Sequence, residues 1–180
     1  PLRIGFEQGD IYLKSWKFRV ANFLNQAFAH RIVVCSRALA DWVHSTHRIS
    51  RRRLVVLHNC VDTEIFRPSL DPDPSVRAGW PDGATVFAAV GSLGRGVNKR
   101  VDVCLRAVAT ARDRGADVRL VVCGDGQQRS ELQELAVRLG LDDAVRFLGA
   151  RRDVERVLAA CDAFCHAAPF EPFGIVCIEA

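Results

Sequence analysis

Two glutamates eight residues apart, Glu171 and Glu179, bracket the segment PFGIVCI near the end of the 180-residue chain. A carboxylate pair placed in this way, one in a loop and one on the helix after it, could accept hydrogen bonds from sugar hydroxyls at two points along an extended ligand. Phe173-Gly174 falls at the turn into that helix, where the first backbone amides have no partner within the helix. Without other context the plainer reading, a loop carboxylate and a solvated or capping helix residue, prevails. A second stretch, Gly91-Ser92-Leu93-Gly94-Arg95-Gly96-Val97-Asn98-Lys99, joins an apolar run to a helical pattern. Glycines let backbone amides approach an anion, a helix start adds partial positive charge, and Arg95 and Lys99 would bring formal charge to a diphosphate. The stretch carries neither GxGxxG nor a Walker pattern, so alone it is equally an ordinary strand–helix turn.

The elements that would position these residues follow a strand, loop, helix rhythm. TVFAAV (85–90) is a continuous apolar run before the first glycine loop, and Val101, Leu105, Val108 and Ala109 recur at helical spacing up to a stop near Gly115. VRLVVCG (118–124) predicts a second buried strand ending in Gly124-Asp125-Gly126, followed by a helix marked by Leu132, Leu135, Ala136 and Leu139. AVRFLG (144–149) and AFCHAA (163–168) predict two more strands, with a helix through Val154, Val157 and Leu158 between them. Near-continuous apolar strands alternating with helices imply a parallel sheet covered on both faces, in a Rossmann-like α/β domain with ligands at the carboxyl ends of the strands. Upstream the same rhythm is shorter: LRIGF (2–6), a helix through Trp16, Val20, Phe23, Leu24 and Ala27, RIVVCS (31–36), a helix capped by Ser36, and LVVLHN (54–59). Between them lies a Pro-, Asp- and Ser-rich stretch, RPSLDPDPS followed by WPDG, which predicts a linker. The expected organisation is therefore residues 1–61 as the end of one Rossmann-like domain, 62–82 as a linker, and 83–180 as most of a second.

Bulk composition narrows the class. With 49% hydrophobic and 26% charged residues the chain is globular. Its apolar runs are too short to span a bilayer. The net charge of +4 rests on arginine, since Lys14, Lys17 and Lys99 are the only lysines; it fits a phosphate-bearing ligand, an anionic membrane surface, or a merely solvated Arg-rich exterior. No pattern favours nucleic acid. The seven cysteines are odd in number and sit mostly within apolar runs, as reduced core residues of a cytosolic protein do. Cys161, Cys165 and His166 lack a second paired cluster, and adjacent residues of a strand point to opposite faces, so no metal site is expected.

Together the segments resemble glycosyltransferase family 4, the large retaining group with the two-domain GT-B fold. The resemblance runs in order through Ser36-Arg37-Ala38-Leu39, HNCVDTEIFRP (58–68), the loop at 91–99, VVCGDGQQRSELQELA (121–136), VRFLG (145–149), CDAF (161–164) and EPFGIVCIEA (171–180). It implies that Glu171 contacts the donor sugar near the reacting centre and that Glu179 holds the ribose of the nucleotide. By the same resemblance, backbone amides around Phe173, Gly174 and Ile175 bind the sugar or diphosphate, Lys99 neutralises the diphosphate, and Gly91 and Gly126 line the nucleotide loops. It further implies a UDP- or GDP-sugar as donor, no need of a cofactor or metal, and a bacterial cytoplasmic setting.

Two departures stand out. The family usually has Gly-Arg-Leu at the first loop with that arginine on the diphosphate; here the position is Ser92, and Arg95 is the candidate to replace it. Many members place a histidine after the first strand, on the acceptor side; here Glu7 or Gln8 occupies it, and a plain loop carboxylate is the alternative for Glu7. The resemblance also implies an internal piece of a longer protein, lacking the first strands of the acceptor domain and whatever follows Glu179, and expected to be inactive on its own. Competing readings are a phosphorylase or epimerase of the same fold, which would not need this glutamate pair, and a non-catalytic nucleotide-sugar-binding module. Lys14, Trp16, Lys17, Phe18 and Arg19 mix basic and aromatic residues near a helix start, as a peripheral membrane contact on the inner face does. An ordinary amphipathic helix with a basic outer face reads the same way.

Overall fold

The computed structural model describes residues 2–7, 28–68, 70–94 and 99–180. Gln8, Arg95 and the basic-aromatic group at 14–19 lie outside them. The chain divides into two compact units: Pro1–Cys60 with Phe170–Ile175, and Val61–Pro169 with Val176–Ala180.

In the first unit three short strands, β1 (Ile4–Glu7), β2 (Arg31–Val34) and β3 (Leu54–Val56), pair in parallel in that order. Their two-residue alternation sends Ile32 and Val34 to one face, where both are fully buried. The helix α1 (Arg37–His47) supplies Leu39, Ala40 and Val43 to the same cluster at helical spacing. It starts at Ser36, whose Oγ accepts from the Leu39 amide at 3.1 Å, and ends where Arg48 turns left-handed at φ 54°. The expected N-cap is therefore in place. Phe173, from the far end of the chain, packs against this cluster.

Among its described residues the second unit has four parallel strands in the order β6-β5-β4-β7, namely β4 (Thr85–Val90), β5 (Val118–Cys123), β6 (Val145–Gly149) and β7 (Ala163–Phe164). Helices α2 (Val101–Asp113), α3 (Arg129–Arg138) and α4 (Val154–Ala159) connect them. β5 shows why its sequence is almost uninterruptedly apolar. Leu120 and Val122 join one cluster with Leu105, Leu132 and Leu141, whereas Val121 and Cys123 join another with Val76, Val86 and Val157. Both faces are covered, as a parallel sheet requires, and each fully buried leucine or valine contributes about 1.5–3 kcal/mol. The chain moves outward from β4 through β5 to β6, then returns to place β7 on the other side of β4. That reversal is a topological switch point, where open α/β sheets leave a crevice at the carboxyl ends of their strands.

The described residues of the 62–82 stretch, expected as a linker, are packed, and one strand is shorter than the sequence suggests. Val76 is fully buried, Trp80 Nε1 donates to the Asp143 carbonyl at 2.8 Å under the guanidinium of Arg146, and Arg151 donates to Asp73 at 2.7 Å. Proline and aspartate here start a turn of 3-10 helix, Pro74–Val76, with Asp73 as its cap, and so serve packing rather than flexibility. The strand expected over 163–168 pairs only at Ala163–Phe164, where β7 lies at the sheet edge with β4 as its one neighbour among the described residues.

This packing has an acid-sensitive element. The Ser75 hydroxyl and amide, then the Arg151 guanidinium, hold the Asp73 carboxyl down to about 2. A carboxylate depressed in the folded state stabilises fully above its unfolded value and ceases to do so as pH falls through the folded one. The stability of the second unit is expected to decline from about pH 4 to about pH 2, and Asp73→Asn to flatten that part of the curve. Urea midpoints of the two proteins across that range check this; parallel curves would remove Asp73 from the account.

Candidate functional site

In the second unit, the loops leaving β4 and β5 are joined beyond the ends of their strands. The Gly91 amide donates to Cys123 O at 3.0 Å, Leu93 N to Asp125 O at 2.9 Å, Gln128 N to Leu93 O at 2.9 Å, and Gly124 N to Gly149 O at 2.8 Å. So close an approach leaves no space for side chains. A Cβ at Gly124 would stand 2.9 Å from the Gly91 carbonyl carbon, with the oxygen nearer still, and one at Gly126 would lie 2.5 Å from Gly94 N. Both have φ near +150°, which L side chains rarely adopt. The Gly126 amide donates to the Asp125 carboxylate at 2.7 Å, and Arg129 donates to the same carboxylate at 2.7 Å. Gly126 thus acts here by permitting close approach, with its own N–H already engaged.

This frame presents Ser92 and Lys99. Ser92 is exposed, and its Oγ accepts from Gly94 N at 3.3 Å. The aliphatic stem of Lys99 crosses Gly91 so closely that a Cβ there would meet it at 3.3 Å. Arg100 then takes φ 52° and pairs through Nε with Asp102 at 2.9 Å, which sets the entry into α2. Ser92, Leu93, Lys99, Arg106, Gln128 and Glu131 line a cavity of about 490 Å³ beside the loop. Gly91, Ser92, Lys99 and Gly126 are therefore gathered at the carboxyl end of the second unit's sheet, as expected from the sequence. Glu179 also belongs to this unit, as the last residue of α5 (Ile175–Glu179), and burial pushes its carboxyl above the usual range.

In the first unit the carboxyl ends of the strands gather a different set. Glu7 closes β1 and is only 4% exposed. Cys35 follows β2; burial pushes its thiol up, and the charges of Glu171 and Glu7 add to that shift. Both carboxylates therefore lie in the electrostatic neighbourhood of one thiol. His58 follows β3, with Nδ1 3.0 Å from Cys35 O, and its ring lies 5.8 Å from that of Phe173 at 32°. Gly174 is buried at φ 77°, a left-handed turn that suits glycine directly after Phe173. Ile175 is exposed. His58 and Cys35 acquired no role from the sequence; the available signal was a polar residue at the carboxyl end of a parallel strand. Cys165 Sγ lies 3.3 Å from Cys104 Sγ, and the His166 ring stacks on Phe164 at 5.8 Å. Among the described residues no helix is long and apolar enough to cross a membrane.

The family described as Glycosyl transferases group 1 matches residues 75–180. Over 165 residues the chain is 34% identical to D-inositol 3-phosphate glycosyltransferase of Saccharomonospora viridis, covering 86% of this chain and 38% of that protein. Over 164 residues it is 30% identical to the GDP-mannose-dependent alpha-(1-6)-phosphatidylinositol dimannoside mannosyltransferase of Mycobacterium tuberculosis, covering 89% and 42%. The chain thus spans less than half the length of these curated relatives. The Anabaena protein HepE, solved with UDP and glucose, superposes with a TM-score of 0.80 over 98% of this chain and 49% of its own, at 24% identity. At that identity the likeness speaks for the fold alone, the α/β arrangement of Rossmann-like units known as GT-B. The chain belongs to the glycosyl transferases group 1 family.

Proposed function

We propose that the protein of which this chain is part transfers a sugar from a UDP- or GDP-sugar to an acceptor hydroxyl, with retention at the anomeric carbon and without a metal ion. The observation that carries this reading is the glycine-stitched pair of loops at the carboxyl end of the second unit's sheet, with the Lys99 stem laid across Gly91. Glycine backbones that close can meet a diphosphate, and a lysine in the same loop offsets the charge that grows on it as the bond to the sugar breaks. Arg95 takes the part that Ser92 cannot. Glu179 holds the ribose hydroxyls, Glu171 contacts the sugar near its anomeric carbon, and the amides around Phe173, Gly174 and Ile175 bind sugar or phosphate oxygens.

In the reaction the anomeric C–O bond to the β-phosphate breaks and the acceptor oxygen bonds to the same face. The acceptor proton passes to the departing phosphate oxygen. No covalent glycosyl-enzyme forms at Glu171 in this scheme; trapping one would replace it. Glu7, buried at the end of β1, is the acceptor-side carboxylate. The two relatives above are named for inositol-containing acceptors, so inositol phosphates and inositol lipids head the acceptor panel. The reaction is assigned to the cytoplasm, with a peripheral membrane contact through Lys14, Trp16, Lys17, Phe18 and Arg19 as part of the same reading.

The test uses the full-length protein with UDP- and GDP-sugars, these acceptors and a chelator, and follows nucleoside diphosphate release and product anomeric configuration. Transfer with retention that survives chelation is expected. Lys99→Ala should lower kcat/KM by about a hundredfold or more, as loss of a charge-stabilising donor does. Nucleoside diphosphate binding without transfer or hydrolysis across the panel would instead favour a non-catalytic binding module.

A further inference from the structure

We propose that Cys104 and Cys165 are a modification site, a thiol pair that a small peroxide converts to a reversible disulfide across the switch point of the second unit. Their sulfurs are 3.3 Å apart, already in contact and in need of little movement to bond. Cys104 lies in the first turns of α2, the helix that follows β4, and is 1% exposed. Cys165 is the first residue past β7, half-buried, and tied to β4 by its amide, which donates to Ala88 O at 2.7 Å. The pair therefore spans the two elements that flank the β4/β7 crevice.

The other cysteines do not share this placement. Cys161 donates to the Val157 carbonyl at 3.2 Å, and burial pushes its thiol up to about 12. Cys35 and Cys123 are likewise raised by burial. Cys60 and Cys177 are exposed. In the Cys104–Cys165 pair the fully buried sulfur keeps the proton, and its hydrogen bond draws the Cys165 thiol below its usual range. The thiolate, and with it the nucleophilicity, thus falls on the less buried partner.

The chemistry balances in two steps. The Cys165 thiolate attacks one oxygen of hydrogen peroxide, the O–O bond breaks, and hydroxide leaves a sulfenic acid. The Cys104 sulfur then attacks the Cys165 sulfur, the S–O bond breaks, and the Cys104 proton and the departing hydroxyl form water. Two thiols and one peroxide give one disulfide and two waters. Only Cys165 needs to meet the oxidant, and hydrogen peroxide is not much larger than water.

The experiment treats the full-length protein with hydrogen peroxide, blocks remaining thiols with iodoacetamide and maps the peptides without reduction. The expected result is a cross-linked species joining the peptides of Cys104 and Cys165, two hydrogens lighter, reversed by dithiothreitol. A rise in Tm should accompany it, because the bond closes a long loop of the unfolded chain. Cys104→Ser should leave the Cys165 sulfenic acid to be captured by dimedone. Alkylation of both cysteines after peroxide, or a different pair in the cross-link, overturns the proposal. The wild-type map decides even if the variant fails to fold, and neither readout depends on sugar transfer.

Discussion

Gly124→Ala is expected to cost the second unit about 3 kcal/mol or more of stability. Two effects add. The φ of 151° at Gly124 is one that an alanine adopts only with strain of about 1–3 kcal/mol. A Cβ there also stands 2.9 Å from the Gly91 carbonyl carbon, and backbone cannot swing aside as the end of a side chain does. Relief requires the loops after β4 and β5 to separate, which breaks the Gly91–Cys123 and Leu93–Asp125 hydrogen bonds that hold Ser92 in place. Gly83→Ala is the control. A methyl group added at that residue would meet nothing within 4 Å, and its φ is not positive, so the change should stay within about 0.5 kcal/mol. Urea midpoints at unchanged m-value make the comparison. Equal midpoints for the two variants would mean that the loops part without cost.

The second large effect is kinetic. Glu171→Gln should reduce kcat by about a hundred- to a thousandfold, or about 2.7–4 kcal/mol of transition-state stabilisation, with little change in nucleoside diphosphate affinity. In the proposed scheme, glutamine keeps the shape and one hydrogen bond but removes the charge opposite a sugar that becomes positive as its bond to phosphate breaks. Glu179→Gln should act differently. If that carboxylate holds ribose hydroxyls, its loss weakens donor binding about tenfold, the worth of one charge-assisted hydrogen bond, and shows mainly in KM. Steady-state kinetics of both variants in the full-length protein separate the roles. An unchanged kcat in Glu171→Gln would remove Glu171 from the reacting centre.

The sequence made the second sheet readable because most of β4 and β5 is buried on both faces, and apolar residues fill nearly all of those positions, Arg119 being the exception. The helix at Ser36 was readable from its cap. The packing within 62–82 was not legible, because proline and aspartate mark loose chain and tight 3-10 turns alike; it shows in the burial of Val76 and the seat of Trp80 on Asp143, both made by residues far along the chain. AFCHAA read as a long strand because its apolar character continues past the point where an edge strand leaves its neighbour. At the site, the glutamate pair and the Lys99 loop were legible as motifs. The contact of His58 with Phe173 was not, since more than a hundred residues separate them and neither type announces the other. Glu7 against Gln8 was open from sequence; Glu7 proves to be the buried end of β1, and Gln8 is outside the described residues.

The return of Phe170–Ile175 to the first unit has a consequence for how the protein is made. As the chain leaves the ribosome, residues 1–60 emerge ahead of the second unit, yet the Phe173 ring that packs on their cluster is translated only after nearly all of that unit. The first unit must wait for its last piece. No single proteolytic cut separates the two units with both intact, so expression of either half from a contiguous stretch of the gene yields at best one whole unit.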